Sequence, residues 1–175
     1  MGLGVKLLYE KEEIDRKTRE LAKVLDEKIR GREKDTVVLY IEKGGKPFFK
    51  KLLNAMKTKP ITDSIRVKSY VGDKSSGNIE WLKKPSVDLK GKYCIIVDDI
   101  LDTGKTIKKV KEYILEQGAK ECEICVAVNK HERREEDIEP DYYLFDLDKG
   151  FIVGFGMDYN EQYRELPSIY IMGES

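Results

Sequence analysis

The stretch 93–107 constrains this chain more than any other. It opens on an apolar run, residues 93–97, that reads as a buried strand. Two carboxylates follow at once, Asp98 and Asp99. Then come Ile100, Leu101, a third carboxylate at Asp102, and the small polar run Thr103, Gly104, Lys105 and Thr106. Ile107, Val110 and Ile114 recur at spacings of three and four, which predicts a helix. Strand, tight loop and helix start in that order form an anion cradle. Unpaired backbone N–H groups and the positive end of the helix dipole both face the loop. Gly104 allows close backbone approach, and two threonine hydroxyls can donate to phosphate oxygens.

Asp102 is out of character there, because a carboxylate beside a phosphate cradle is repelled by its ligand. An Asx cap of the turn would explain it without chemistry. Its charge could otherwise serve a metal, a sugar hydroxyl or a proton. The pair Asp98 and Asp99 favours chemistry. Neighbours on a regular strand face opposite ways, so both reach one ligand only at a strand end, where they sit. Gly104, Lys105 and Thr106 look like the close of a nucleotide-kinase P-loop. That motif needs a glycine five residues before its last one, and position 99 is aspartate.

The residues instead resemble the phosphoribosyl-diphosphate signature of the type I phosphoribosyltransferases. That signature is an apolar strand, two acidic residues, two apolar residues, then Asp-Thr-Gly-x-Thr, and residues 97–106 fit it without a gap. The resemblance implies that Asp98 and Asp99 engage ribose hydroxyls and a magnesium ion. It implies a 5′-phosphate site made of Asp102, Thr103, Gly104, Lys105 and Thr106. It makes Asp102 the catalytic residue, accepting a proton from N7 of a purine.

Composition removes other classes. The chain of 175 residues favours a single domain, 1–175, with one core. Lys+Arg and Asp+Glu are 33 each, so no net field recruits nucleic acid or an anionic membrane. No apolar run approaches the length of a membrane span and no secretory signal opens the chain, so a cytoplasmic protein is expected. A single histidine excludes His-rich zinc sites and His-based triads. Cys122 and Cys125 have redox-motif spacing, but they lie in an alternating stretch where residues three apart face opposite sides.

In chain order, residues 11–30 read as an amphipathic helix whose stripe is Ile14, Leu21, Val24, Leu25 and Ile29, stopped by Gly31. Residues 36–41 read as a buried strand, followed by Glu42, Lys43, Gly44 and Gly45 and a helix from about Pro47. A plain strand-to-helix turn accounts for those glycines. In the purine-salvage branch of the family, however, Lys-Gly-Gly at this place binds diphosphate and often holds a strained peptide, here between Glu42 and Lys43. Residues 64–71 and 79–82 read as strands flanking a polar tip. An ordinary hairpin suffices. The resemblance makes it a flexible β-hairpin lid with Ser69 and Tyr70 at its base, which would keep water from a cationic sugar intermediate.

Residues 123–128 read as the next strand, with Lys130 after it and a solvated charged run over 131–139. By resemblance Lys130 donates to the exocyclic oxygen of a 6-oxopurine. Relatives place a proline where His131 stands. The segment 151–159 resembles the purine branch's base site, which implies stacking by Phe151, edge reading by the Ile152 backbone and magnesium at Asp158. Phe151 alone would read as core. Arg164 corresponds to a diphosphate contact, joining Lys43 and Gly44.

Strands alternating with helices predict an α/β fold, a mainly parallel sheet flanked by helices, with ligands at the carboxyl strand ends. The chain ends are expected to form a small antiparallel hood. The implied activity is purine salvage: phosphoribosyl diphosphate and hypoxanthine or guanine giving IMP or GMP and diphosphate, with Mg2+ as cofactor and a homodimer or homotetramer as assembly. Two alternatives stay open. One is a xanthine-preferring enzyme. The other is a phosphoribosyl-diphosphate sensor of the same fold that binds nucleic acid, though it would want a basic face or an added domain.

Overall fold

The computed structural model describes residues 4–69 and 79–173. Its centre is a six-stranded sheet in the order β4-β3-β2-β5-β6-β7. These strands are β2 (Thr36–Glu42), β3 (Ile61–Ser69), β4 (Ile79–Lys83), β5 (Tyr93–Leu101), β6 (Glu121–Lys130) and β7 (Tyr142–Leu147). All neighbours are parallel except the edge pair β3 and β4. β2, β5 and β6 are almost continuously apolar because helices cover both of their faces.

Alternation sorts the side chains between two half-cores. Val38, Ile95, Val97, Cys125 and Ala127 meet α1 (Lys11–Ile29) and α2 (Lys46–Ala55) through Ile14, Leu21, Leu25, Phe48 and Leu52. Val37, Leu39, Cys94, Ile96, Ile124 and Val126 meet α3 (Lys105–Glu116) through Ile107, Val110 and Ile114. Cys122 and Cys125 fall into opposite half-cores, as their spacing in a strand requires. All three cysteines are free and buried. Burial pushes the Cys94 and Cys122 thiols up to about 11 and about 12, which suits packing rather than redox work.

Two local readings need correction. Val24 is 53% exposed. The buried stripe of α1 runs instead through Ile14, Thr18, Leu21, Ala22, Leu25, Asp26 and Ile29. Asp26 is there because its carboxylate accepts from the Lys57 and Thr58 N–H groups at 2.9 and 3.0 Å and from the Thr58 hydroxyl at 2.6 Å, tying α1 to the chain after α2. β3 starts at Ile61, three residues before the expected strand, because Ile61 and Thr62 already pair with Val37 and Val38. Of the hairpin lid, Ser69 is the last residue of β3, while Tyr70 and the tip lie outside the described residues.

The chain ends do form a separate antiparallel sheet. β1 (Gly4–Tyr9) pairs with β9 (Ile169–Gly173), which pairs with β8 (Phe151–Val153). Ile152 and Ile169 join the α1/α2 half-core, so this hood is anchored beside the carboxyl end of the main sheet. Among the described residues no helix is long and apolar enough to cross a membrane.

Candidate active site

The three signature carboxylates sit where β5 runs out. The Asp99 N–H donates to Asp98 Oδ1 at 2.8 Å, and the Ile100 N–H donates to Asp99 Oδ1 at 2.7 Å. Burial raises the Asp98 carboxyl well above the usual range, and the charge of Asp99 adds to it. Burial raises Asp99 too, although hydrogen bonds and Arg164 pull the other way. Two half-buried carboxylates held this close repel each other.

Gly104 then turns the chain into α3 with φ +89, a left-handed conformation that favours glycine. A side chain there would also meet Ile138 Cγ2 at 2.7 Å. A cavity of about 200 Å³ opens over this turn, lined by 98–104, Thr106 and Ile107. Lys105 offers its backbone at the helix start, while its ammonium pairs with Glu135 at 3.2 Å.

A second cavity of about 150 Å³ adjoins the first. Lys130, Phe151, Ile152, Met157 and Asp158 line it together with Asp99, Ile100 and Asp102, which line both. Asp102 therefore stands on the wall between the two spaces. Its Oδ1 is buried and has no hydrogen-bond partner among the described residues. Lys130 Nζ is 3.8 Å from that oxygen and 3.7 Å from Glu132 Oε1, with the lysine side chain only 4% exposed. Arg133 reaches the other oxygen, Oδ2, at 3.3 Å. Phe151 is 44% exposed and meets Tyr159 edge-on at 5.8 Å, so it is not core. The neighbouring Ile152 is buried.

The loop after β2 closes a third side. The Glu42–Lys43 peptide is cis. Gly44 lies so close to Asp99 that any Cβ would strike its carboxylate and crowd the Gly156 carbonyl. Lys43 and Arg164 converge on Glu161: Lys43 Nζ lies 3.8 Å from its carboxylate and Arg164 Nη1 2.6 Å. Arg164 also pairs with Asp158 at 3.2 Å and donates to the Gly156 carbonyl at 3.1 Å. The two expected diphosphate cations thus share one exposed carboxylate.

Two adjoining spaces, one over the backbone turn into α3 and the other edged by a buried lysine and an open aromatic ring, with Asp102 between them, suit the joining of a sugar phosphate to a flat base. A family model described as the phosphoribosyl transferase domain matches residues 4–160. The chain belongs to the phosphoribosyltransferase family. It is 37% identical to the hypoxanthine-guanine phosphoribosyltransferase of Aquifex aeolicus over 172 residues, covering 98% of this chain and 96% of that protein. It is 38% identical to the Lactococcus lactis protein of the same name over 168 residues, covering 95% and 90%. A crystal structure of a hypoxanthine phosphoribosyltransferase from Staphylococcus aureus superimposes with a TM-score of 0.90 at 32% identity, covering 95% of this chain and 90% of that one.

In this phosphoribosyltransferase, Asp102, Thr103, Gly104 and Thr106 line one cavity, the expected base residues line the adjoining one, and Gly44 and Arg164 abut Asp99 and Asp158 beside them. No three metal-ligating side chains come together among the described residues, so Asp158 stands apart from the Asp98 and Asp99 pair. A divalent ion fits the Asp98 and Asp99 pair nonetheless, since it would offset the charge that burial and repulsion penalise. Mg2+ commonly takes one or two carboxylates and completes its shell with phosphate and water.

Sequence reasoning missed the run 131–139, which is not simply solvated. The Glu135 and Glu136 N–H groups donate to the Thr103 carbonyl at 2.9 and 3.3 Å, and Lys108 pairs with Glu136 at 3.0 Å. Glu132 accepts from the Gly150 N–H at 3.1 Å, next to Phe151. The only sequence signal was an excess of charge, which does not say which charge turns inward.

Proposed function

We propose that the chain transfers the 5-phosphoribosyl group from phosphoribosyl diphosphate to hypoxanthine or guanine, giving IMP or GMP and diphosphate. The observation that carries this reading is Asp102 Oδ1, buried without a hydrogen-bond partner among the described residues, on the wall between the two cavities. An unpaired buried carboxylate oxygen is costly, and a proton-bearing ligand atom would relieve it.

The 5′-phosphate occupies the turn at Thr103, Gly104 and Thr106, on backbone N–H groups at the start of α3. Asp98 and Asp99 hold the ribose hydroxyls. N9 of the base attacks the anomeric carbon as the bond to diphosphate breaks. Positive charge grows on the sugar, and the adjacent carboxylates stabilise it. Lys43, the Gly44 backbone and Arg164 receive the diphosphate, displacing Glu161 from both cations. Asp102 takes the proton from N7. Lys130 donates to the exocyclic oxygen, which favours 6-oxopurines over adenine, whose amine is itself a donor. Phe151 stacks on the ring and the Ile152 backbone meets its edge. Asp98 and Asp99 would hold one Mg2+ and Asp158 another, which would supply charge neutralisation for the diphosphate.

The remaining expectations are carried as part of this proposal: one domain over 1–175, a homodimer or homotetramer, a cytoplasmic setting, and no nucleic-acid or membrane partner. The balance of 33 cationic and 33 anionic side chains supports the last two. The test is steady-state turnover with hypoxanthine, guanine, xanthine and adenine, each with phosphoribosyl diphosphate and Mg2+. Turnover of hypoxanthine and guanine without adenine is expected. No turnover of any 6-oxopurine would overturn the proposal, and turnover of xanthine alone would replace its substrate.

A further inference from the structure

Arg134 lines neither cavity, yet it holds the ends of the two strands that carry the site. Its side chain is 12% exposed. Nε donates to the Asp102 carbonyl at 2.9 Å. Nη2 donates to the Leu101 carbonyl at 3.2 Å, the Lys130 carbonyl at 3.0 Å and Asn129 Oδ1 at 2.6 Å. Nη1 donates to the Ile138 carbonyl at 2.9 Å. Asn129 is itself buried, and its Nδ2 donates to Asp146 Oδ1 at 3.1 Å, an oxygen that His131 also meets at 2.6 Å.

The register explains why a clamp is needed at this point. The ladder between β5 and β6 runs as far as Leu101 opposite Asn129. Asp102 is the next residue of one strand and Lys130 the next of the other, so the ladder does not join them. Arg134 spans that gap with a planar fork of donors, which fixes direction as well as distance. It takes the carbonyls of both residues whose side chains face the base.

We propose that Arg134, seated by Asn129, is the positioning residue that sets Asp102 against Lys130. It touches no substrate and acts through two backbone carbonyls. This inference rests on the proposed roles of Asp102 and Lys130 in the reaction above. A lysine at 134 keeps the charge and loses the fork, so Asp102 and Lys130 should drift relative to each other. A misplacement of about 1 Å can cost about 100-fold in rate.

The test compares Arg134→Lys with Asp26→Asn, which weakens a buried network remote from the site. Both variants are assayed on hypoxanthine well below their measured Tm. Arg134→Lys should lower kcat by about 10- to 100-fold with KM for phosphoribosyl diphosphate changed less than about threefold. Asp26→Asn should lower Tm and leave kcat as it was. Should Arg134→Lys not fold, Asn129→Ser keeps the arginine and removes the acceptor that seats it, and kcat should still fall several-fold. A folded Arg134→Lys, or failing that a folded Asn129→Ser, with unchanged kcat would overturn the inference. Inactivity of the unsubstituted protein would instead overturn the proposed reaction, so the two failures are separable.

Discussion

At the amino ends of β5 and β6, Lys28, Tyr93, Glu123 and Tyr142 satisfy one another. At the carboxyl ends of the same strands, Asp98 and Asp99 accept backbone N–H groups, and Asp102 keeps one oxygen without a hydrogen-bond partner among the described residues. In the first cluster Lys28 Nζ donates to Glu123 at 3.0 Å and to the Tyr142 hydroxyl at 2.8 Å. The Tyr142 hydroxyl donates to Glu123 at 3.1 Å, and the Tyr93 hydroxyl donates to it as well. Arg32 covers the Tyr93 ring at 4.2 Å. In the second cluster two carboxylates face each other, one buried oxygen has no partner, and an aromatic ring stands open. Closed networks hold a fold together. Groups left wanting a partner mark where a ligand belongs, and the fold tolerates them at that one place.

Titration separates the two ends by sign. Burial works to raise Glu123, but hydrogen bonds from Tyr93, Lys28 and Tyr142 outweigh it and hold the carboxyl low. Its contribution to stability is present above the unfolded value and is lost as pH falls through the folded one. Asp98 and Asp99 are raised, so their penalty is absent below the unfolded value of about 4 and grows as pH rises toward the folded value.

The largest expected effect falls at the open end. Asp98→Asn combined with Asp99→Asn should lower turnover by at least about 100-fold while raising Tm at neutral pH. The Tm gain should fade as pH drops below about 4. A thermal-shift series across pH checks it, and a variant less stable at neutral pH would break the contrast. Next, Phe151→Ala should raise KM for the base by about 10- to 100-fold, the equivalent of about 1–3 kcal/mol of stacking. Tm should hardly move, because the ring is half exposed. A large Tm loss would return Phe151 to the core. The smallest effect on activity comes from the closed end. Glu123→Gln should cost about 1–3 kcal/mol of stability in denaturant unfolding and leave kcat as it was.

What was legible in the sequence follows the same division. The signature at 97–106 is contiguous, so strand, carboxylates, turn and helix start could be read from local order alone. The parallel sheet followed from apolar runs alternating with helical periods. The clamp made by Arg134 could not be read, because two of its acceptors are carbonyls 32 and 33 residues earlier in the chain. Asp26 was hidden for the same reason: a carboxylate on a buried stripe is explained only by Lys57 and Thr58, which the fold brings to it. Val24 failed in the opposite direction. Its apolar side chain suggested burial, while the period that fits α1 passes through Thr18 and Ala22 instead.

The partnerless oxygen of Asp102 is tested most directly by Asp102→Asn, with turnover of hypoxanthine and Tm measured on the same sample. Turnover should fall by about 10²- to 10⁴-fold with Tm changed little, since the amide oxygen still accepts from Arg133 and Glu132 stays beside Lys130. Full turnover by a folded Asp102→Asn protein would contradict the role of that oxygen as the acceptor of the purine proton.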